Sequence, residues 1–162
     1  MRLSKPRVKL ALLALAVATV LYIVSKPCLL VESEQGVLVA RFVKYGERFS
    51  LHYTHSVQRT PVTEIFVIDD SGSLRLISTI YRSFGVGLPF LADEGSFRIV
   101  DDQFILEDIN RIFPTVQLRA GPEARLVLEY AGETIPLYQM LTPGSFVQIR
   151  VGPYYSRWMG HK

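Results

Sequence analysis

Residues Arg48–Asp69 read "RFSLHYTHSVQRTPVTEIFVID", and the way they alternate decides the fold. Successive side chains on a strand point to opposite faces. Over Arg48–Ser56 the odd positions are Phe49, Leu51, Tyr53 and His55, and the even ones are Arg48, Ser50, His52, Thr54 and Ser56. The odd face is apolar and is expected to face a core, with His55 at its end. Pro61 has no N–H to donate, so it suits the first position of the next strand. Thr60 before it is pushed toward extended geometry. Val62, Glu64, Phe66 and Ile68 then share one face.

The two segments predict a hairpin with Val57-Gln58-Arg59 exposed at its tip. If Phe66 and Ile68 pack beside Leu51 and Phe49, Glu64 falls opposite Tyr53 or His55, according to the turn register. That places a carboxylate among a phenol, an imidazole and an apolar edge. Burying such a carboxylate is costly unless it is paired, and pairing with His55 would raise the pKa of the histidine. The seam either pins the register of the sheet or lines a ligand or partner site.

Outward from this hairpin the pattern repeats. "LLVES", "VLVARFV", "LRLISTIY", "SFRIV", "QFIL", "RLVLEY", "ETIPLY" and "SFVQIRV" are short runs rich in Val, Ile, Phe, Tyr and Thr, separated by turn residues. The spacing predicts antiparallel strands. "RLVLEYAGETIPLY" predicts a hairpin turning at Ala131-Gly132. "EDINRIF", Glu107–Phe113, has room for one short helical turn. The fold class expected is all-β, an antiparallel sandwich or partly closed barrel of about nine to ten strands, with one N-terminal transmembrane helix.

The N-terminus is of a different kind. "MRLSKPRVK" is basic and is followed by Leu10–Val24, an uncharged apolar run. With Val8 and a snorkelling Lys9 the run reaches the lower limit of a membrane span. Ser25-Lys26-Pro27 fits a cleavage site badly, so an uncleaved anchor is expected, with a cleaved signal as the alternative. The chain divides into residues 1–26 as flank and anchor, 27–152 as a β-domain, and 153–162 as an aromatic and basic tail. The positive flank predicts a single pass through the inner membrane, with the C-terminal domain in the periplasm.

Five of the 18 Lys and Arg residues precede residue 27, whereas all 15 Asp and Glu follow it. The β-domain is therefore slightly acidic, which argues against a nucleic-acid partner. Cys28 is the single cysteine. It is either an incidental thiol at the membrane surface or a partner for a second chain. Tyr154, Tyr155 and Trp158 near Arg157 fit a bilayer interface or a loosely packed terminus.

Catalytic and metal chemistry find little support. His55 and Ser56 point to opposite faces, so one cannot activate the other. His52 is on the face opposite His55, and His161 lies in the tail. No H-E-x-x-H or paired-cysteine motif is present, so no metal site and no cofactor are expected. Tyr81–Pro89, "YRSFGVGLP", is a loop punctuated by Gly85, Gly87 and Pro89. It lacks the spacing and lysine of a phosphate cradle. It is read as a sheet corner or as a binding loop.

"YTHSVQRTPVTEIF" followed by "YRSFGVGLP" resembles an uncharacterised bacterial domain family. Its members are commonly encoded beside TRAP transporters whose solute receptor is of the TAXI type. The resemblance covers roughly Leu29–Val151. Its hallmark positions fall on Tyr53, His55, Ser56, Thr60, Pro61, Glu64, Gly85, Gly87 and Pro89. It implies a periplasmic component linked to solute uptake, with the TAXI solute receptor or the TRAP membrane subunits as partners. Together with Arg59 at the hairpin tip, these positions form the candidate binding surface. The alternatives are an independent small-ligand or ion-binding domain, and a hydrolase using Glu64 and His55 as acid and base.

Overall fold

The computed structural model describes residues 5–82, 95–121 and 123–158. Helix α1, Lys5–Val24, ends two residues before the first strand. Its stretch Pro6–Val24 has a mean hydropathy of 2.1 and none of it is buried against the rest of the chain. A helix of 20 residues rises about 30 Å, the thickness of a hydrocarbon core. The chain thus carries one N-terminal helix apolar enough to span a membrane or act as a signal anchor.

Eleven strands follow among the described residues. They are β1 Pro27–Ser33, β2 Gly36–Phe42, β3 Arg48–Thr54, β4 Pro61–Ile68, β5 Leu74–Tyr81, β6 Ser96–Val100, β7 Gln103–Phe113, β8 Val116–Ala120, β9 Val127–Tyr130, β10 Glu133–Ile135 and β11 Ser145–Pro153. They form two antiparallel sheets, one ordered β2-β1-β11-β8 and the other β10-β9-β3-β4-β5-β7-β6. Both sheets keep open edges, so the fold is a sandwich and not a closed barrel. The expected helical turn at Glu107–Phe113 is instead part of β7. Asp108 has a φ of 60° there, where the β5–β7 register shifts. That bulge breaks the alternation that would have marked a strand.

The core lies between the sheets. Leu29, Val31, Val147 and Ile149 face Phe49, Leu51, Phe66, Ile68, Leu74 and Leu128. Phe49 and Phe66 stack at 5.1 Å between ring centroids, and Phe49 is opposite Phe66 in the ladder. The odd face of β3 does point inward. The turn at Ala131-Gly132 forms as expected, with φ of 52° and 79° and Tyr130 opposite Glu133. Both residues occupy the left-handed region that a two-residue hairpin demands.

The C-terminal residues Tyr154–Trp158 form a short 3-10 turn folded back on the four-stranded sheet. They help bury Cys28 and Leu30 on the outer side of β1. Under this turn Arg150 grips Glu32 with two hydrogen bonds of 2.7 and 2.8 Å and donates to Ser156 Oγ at 3.1 Å. A Cβ at position 152 would lie 2.6 Å from Arg150 Nη1 and 3.0 Å from Ser156 Oγ, so a larger residue there would displace the guanidinium from its place under the turn.

The connections give the sandwich two ends. At one are the exit of α1, the β2–β3 loop and the β9–β10 turn. Arg41 at the end of β2 pairs with Glu133 at 2.7 Å, and Tyr130 Oη, whose proton goes to Glu47, lies 3.1 Å from the Phe42 carbonyl. At the other are the β3–β4 tip and the segment before β9, where Thr54 N donates to Ala124 O at 2.7 Å. The seven residues of β3 separate these ends by roughly 20 Å.

Candidate functional site

The β3–β4 ladder runs Phe49↔Phe66, Leu51↔Glu64 and Tyr53↔Val62. Glu64 therefore stands opposite Leu51, not opposite Tyr53 or His55 as the sequence suggests. The reason is the loop. His55 N donates to Thr60 O at 2.9 Å and Arg59 N to His55 O at 2.8 Å, so His55 closes the turn and does not continue the strand. Its ring Nδ1 accepts the N–H groups of Val57 at 3.3 Å and Gln58 at 3.2 Å. With Nδ1 as acceptor the ring proton sits on Nε2. His55 acts here as a side-chain cap, and no hydrogen bond joins it to Glu64.

Tyr53 and Glu64 do meet, one register step apart. Tyr53 Oη donates to Glu64 Oε1 at 3.2 Å, which suits diagonal neighbours on one face. Burial raises the pKa of Glu64 above the usual carboxylate range, and the bond from Tyr53 only partly counters it. Burial also pushes the Tyr53 phenol well up, reinforced by the charge of Glu64 and by the hydrogen bond itself. Beside Glu64 on the next strand lies Thr79, fully buried. Its Oγ1 has no hydrogen-bond partner among the described residues. Tyr81, opposite Val62, closes the group and is buried. The inner face of this sheet end thus carries Tyr53, Glu64, Thr79 and Tyr81 around Val62. Thr79 escaped sequence reasoning because a register shift between Leu76 and Ser78 breaks the alternation of "LRLISTIY".

The other predicted positions sit at the tip. Ser56, Arg59 and Pro61 are exposed, and Thr60 is half-buried. Arg59 has a φ of 54°, a conformation few non-glycine residues adopt. Val57 is 70% exposed. Gly85, Gly87 and Pro89 lie outside the described residues.

The outer face holds a constellation that sequence reasoning missed. His52 Nδ1 lies 3.0 Å from Thr63 Oγ1, and its Nε2 lies 3.0 Å from Glu129 Oε2. Thr63 is the ladder partner of His52, so the correct register would have paired them. Glu129, one step diagonal on β9, had no signal in the linear sequence. The order hydroxyl, imidazole, carboxylate is that of an activated nucleophile, but it stands on an open sheet face. β3, β4 and β9 are interior strands, so their N–H groups are taken up by the ladders. His52 with Thr63 and Glu129 is a cross-strand clasp.

Fold and site together define a β-sandwich carried directly on an N-terminal apolar helix, with a half-buried Tyr–Glu pair at its far end. Residues 49–137, just over half of the chain, match the family described as domain of unknown function (DUF1850), and the chain belongs to that family. The matched part runs from Phe49 in β3 through β10, and so contains all of the seven-stranded sheet but Arg48. No curated protein and no solved structure matches the chain.

Proposed function

We propose that the chain is a membrane-anchored periplasmic accessory protein that works by binding and not by chemistry, with the β3–β4 end as its recognition surface. The observation that carries this reading is the hairpin tip. It is exposed, yet its backbone is held by His55, which caps two N–H groups and closes the loop to Thr60. Such a loop has little entropy left to lose on binding. The acid–base alternative loses support because His55 is spent on the tip while Glu64 is bonded to Tyr53.

The finer reading rests on the family resemblance carried by "YTHSVQRTPVTEIF" and "YRSFGVGLP". In it the partner is the TAXI-type solute receptor or a membrane subunit of the TRAP transporter. α1 holds the domain at the inner membrane, and the tip meets the partner on the periplasmic side. A second reading, capture of a small polar ligand, is favoured by one observation. The buried Thr79 hydroxyl beside Glu64 has no partner among the described residues, and an incoming ligand would supply one.

A photo-crosslinking residue placed at Val57 in the native membrane tests the transporter reading. The expected product joins this chain to a TAXI receptor or TRAP membrane subunit, identified by mass spectrometry. A product with an unrelated protein, or normal solute uptake in cells lacking the chain, overturns it.

A further inference from the structure

The end of the sandwich at the exit of α1 carries a connected group of aromatic and cationic side chains. Lys26 Nζ lies 4.9 Å from the ring centre of Tyr22, in the last turn of α1. Tyr154 N donates to Lys26 O at 2.9 Å, which ties the C-terminal turn to the base of the helix. The Tyr154 ring packs on Phe42 at 4.9 Å and on Trp158 at 5.5 Å. The Arg157 guanidinium lies 4.9 Å from the centre of the Tyr154 ring and 5.1 Å from that of Trp158. Between α1 and the β2–β3 loop is an open cleft of roughly 540 Å³, lined among others by Tyr22, Lys26, Phe42, Lys44, Tyr45 and Glu47. The Glu47 carboxylate facing it is already engaged by Tyr130 and by the Lys44 N–H.

These side chains remain exposed although they are large and partly apolar. Phe42 is 49% exposed, Tyr45 51% and Trp158 64%. A soluble domain has little use for such a group in water. The chain supplies an occupant by continuity. Only Ser25 and Lys26 separate α1 from β1, and both close the helix with backbone hydrogen bonds to Leu21 and Ile23. With α1 in a bilayer, this end of the sandwich has no linker with which to leave the headgroup layer. Tyrosine, tryptophan and snorkelling lysine are the side chains favoured at that depth.

We propose that this collar is seated in the phospholipid headgroup layer of the bilayer that holds α1. The aromatic rings lie at the edge of the hydrocarbon, and Lys26 and Lys44 face headgroup phosphates. The sandwich then stands on the membrane, with the β3–β4 tip held roughly 20 Å further out. This rests on α1 being a membrane anchor, and it adds a fixed orientation to that reading.

Trp158 is the only tryptophan in the chain, so its fluorescence reports on the collar alone. The test reconstitutes the full-length chain into phosphatidylcholine vesicles whose acyl chains carry bromine near the headgroup or near the chain end. Trp158 should lose more emission with the shallow bromines than with the deep ones. In a Trp158→Phe background, Tyr45→Trp should behave likewise, and Val57→Trp at the distal tip should lose none. Trp158 and Tyr45→Trp unquenched by either lipid, or Val57→Trp quenched as strongly as they are, overturns the seating. Alkaline carbonate extraction of the same vesicles separates the two claims. A chain that stays in the membrane with an unquenched collar sinks only the seating, whereas a chain stripped from the vesicles sinks the anchor and the seating together.

Discussion

A tyrosine–glutamate hydrogen bond sits at each end of the sandwich, and the two are built in opposite ways. At the end near α1, Glu47 accepts from Tyr130 Oη and from the Lys44 N–H, the latter at 2.9 Å. These bonds, that of Tyr130 foremost, hold its carboxyl below the usual carboxylate range. At the far end, Glu64 accepts from Tyr53 alone among the described residues, and burial drives its pKa up. The first pair favours the charged carboxylate and fastens β9 to the β2–β3 loop. The second opposes the charge, and beside it Thr79 Oγ1 has no partner among the described residues. An end that is fully satisfied is suited to holding the fold in place. The end whose carboxylate is short of partners among the described residues is the one proposed above to receive one.

The largest effect that sharpens this contrast is expected beneath the C-terminal turn. Arg150→Met removes one member of a buried pair whose other member, Glu32, is only 6% exposed. The loss should be about 3–5 kcal/mol, measured by urea unfolding of the full chain in detergent with circular dichroism. A loss near that of a surface pair would mean that this buried pair does not fasten β11 to β1 beneath the turn.

Next in size is Tyr130→Phe, which should cost about 1–2 kcal/mol at neutral pH by removing a bond to a charged acceptor. The contribution of Glu47 has a definite sign. Its native pKa is depressed, so its stabilisation is present above the ordinary carboxylate value and is lost as pH falls through the native one. Tyr130→Phe should shrink that acid loss. Glu64 runs the other way. Its native pKa is raised, so its contribution is fullest in acid and declines as pH rises from the ordinary value through the native one. Glu64→Gln should flatten that decline and leave the protein no less stable at neutral pH. A Glu64→Gln variant that loses stability only at neutral pH would break the comparison.

Smaller effects separate the partners of Glu64. In double-mutant cycles, Tyr53→Phe and Glu64→Gln should couple by more than about 0.5 kcal/mol, and Glu64→Gln with His55→Gln by less, since the latter two share no hydrogen bond. Strong coupling to His55 would restore the register read from sequence. Arg59→Ala should change stability by less than about 0.5 kcal/mol, because both residues meet the same left-handed backbone at φ 54°, while it weakens the Val57 crosslink.

How much of this was legible in the chain differs by feature. The strand character, the inward face of Phe49, Leu51 and Tyr53, the turn at Ala131-Gly132 and the apolar helix followed from alternation, turn chemistry and hydropathy, which are local. The meeting of Tyr53 with Glu64 was half legible. The shared face could be read, but the register could not, because it depends on how many residues the loop takes. His55 left the strand to cap Val57 and Gln58, and that shifted every pairing by one step on the face. Thr79 and Glu129 were illegible for a different reason. The first lies beyond a bulge, and the second is brought in by a strand far along the chain.

The contrast between the two pairs is tested most directly by titrating both carboxylates in one sample. Carboxyl carbon NMR of the full-length chain in detergent would follow Glu64 and Glu47, each assigned by its Gln variant, from acid to neutral pH. Glu64 is predicted to titrate above the ordinary glutamate value of about 4.3 and Glu47 below it. Glu64 titrating at or below Glu47 would show a distal carboxylate as well satisfied as the proximal one, and would contradict the division of the sandwich into a holding end and a receiving end.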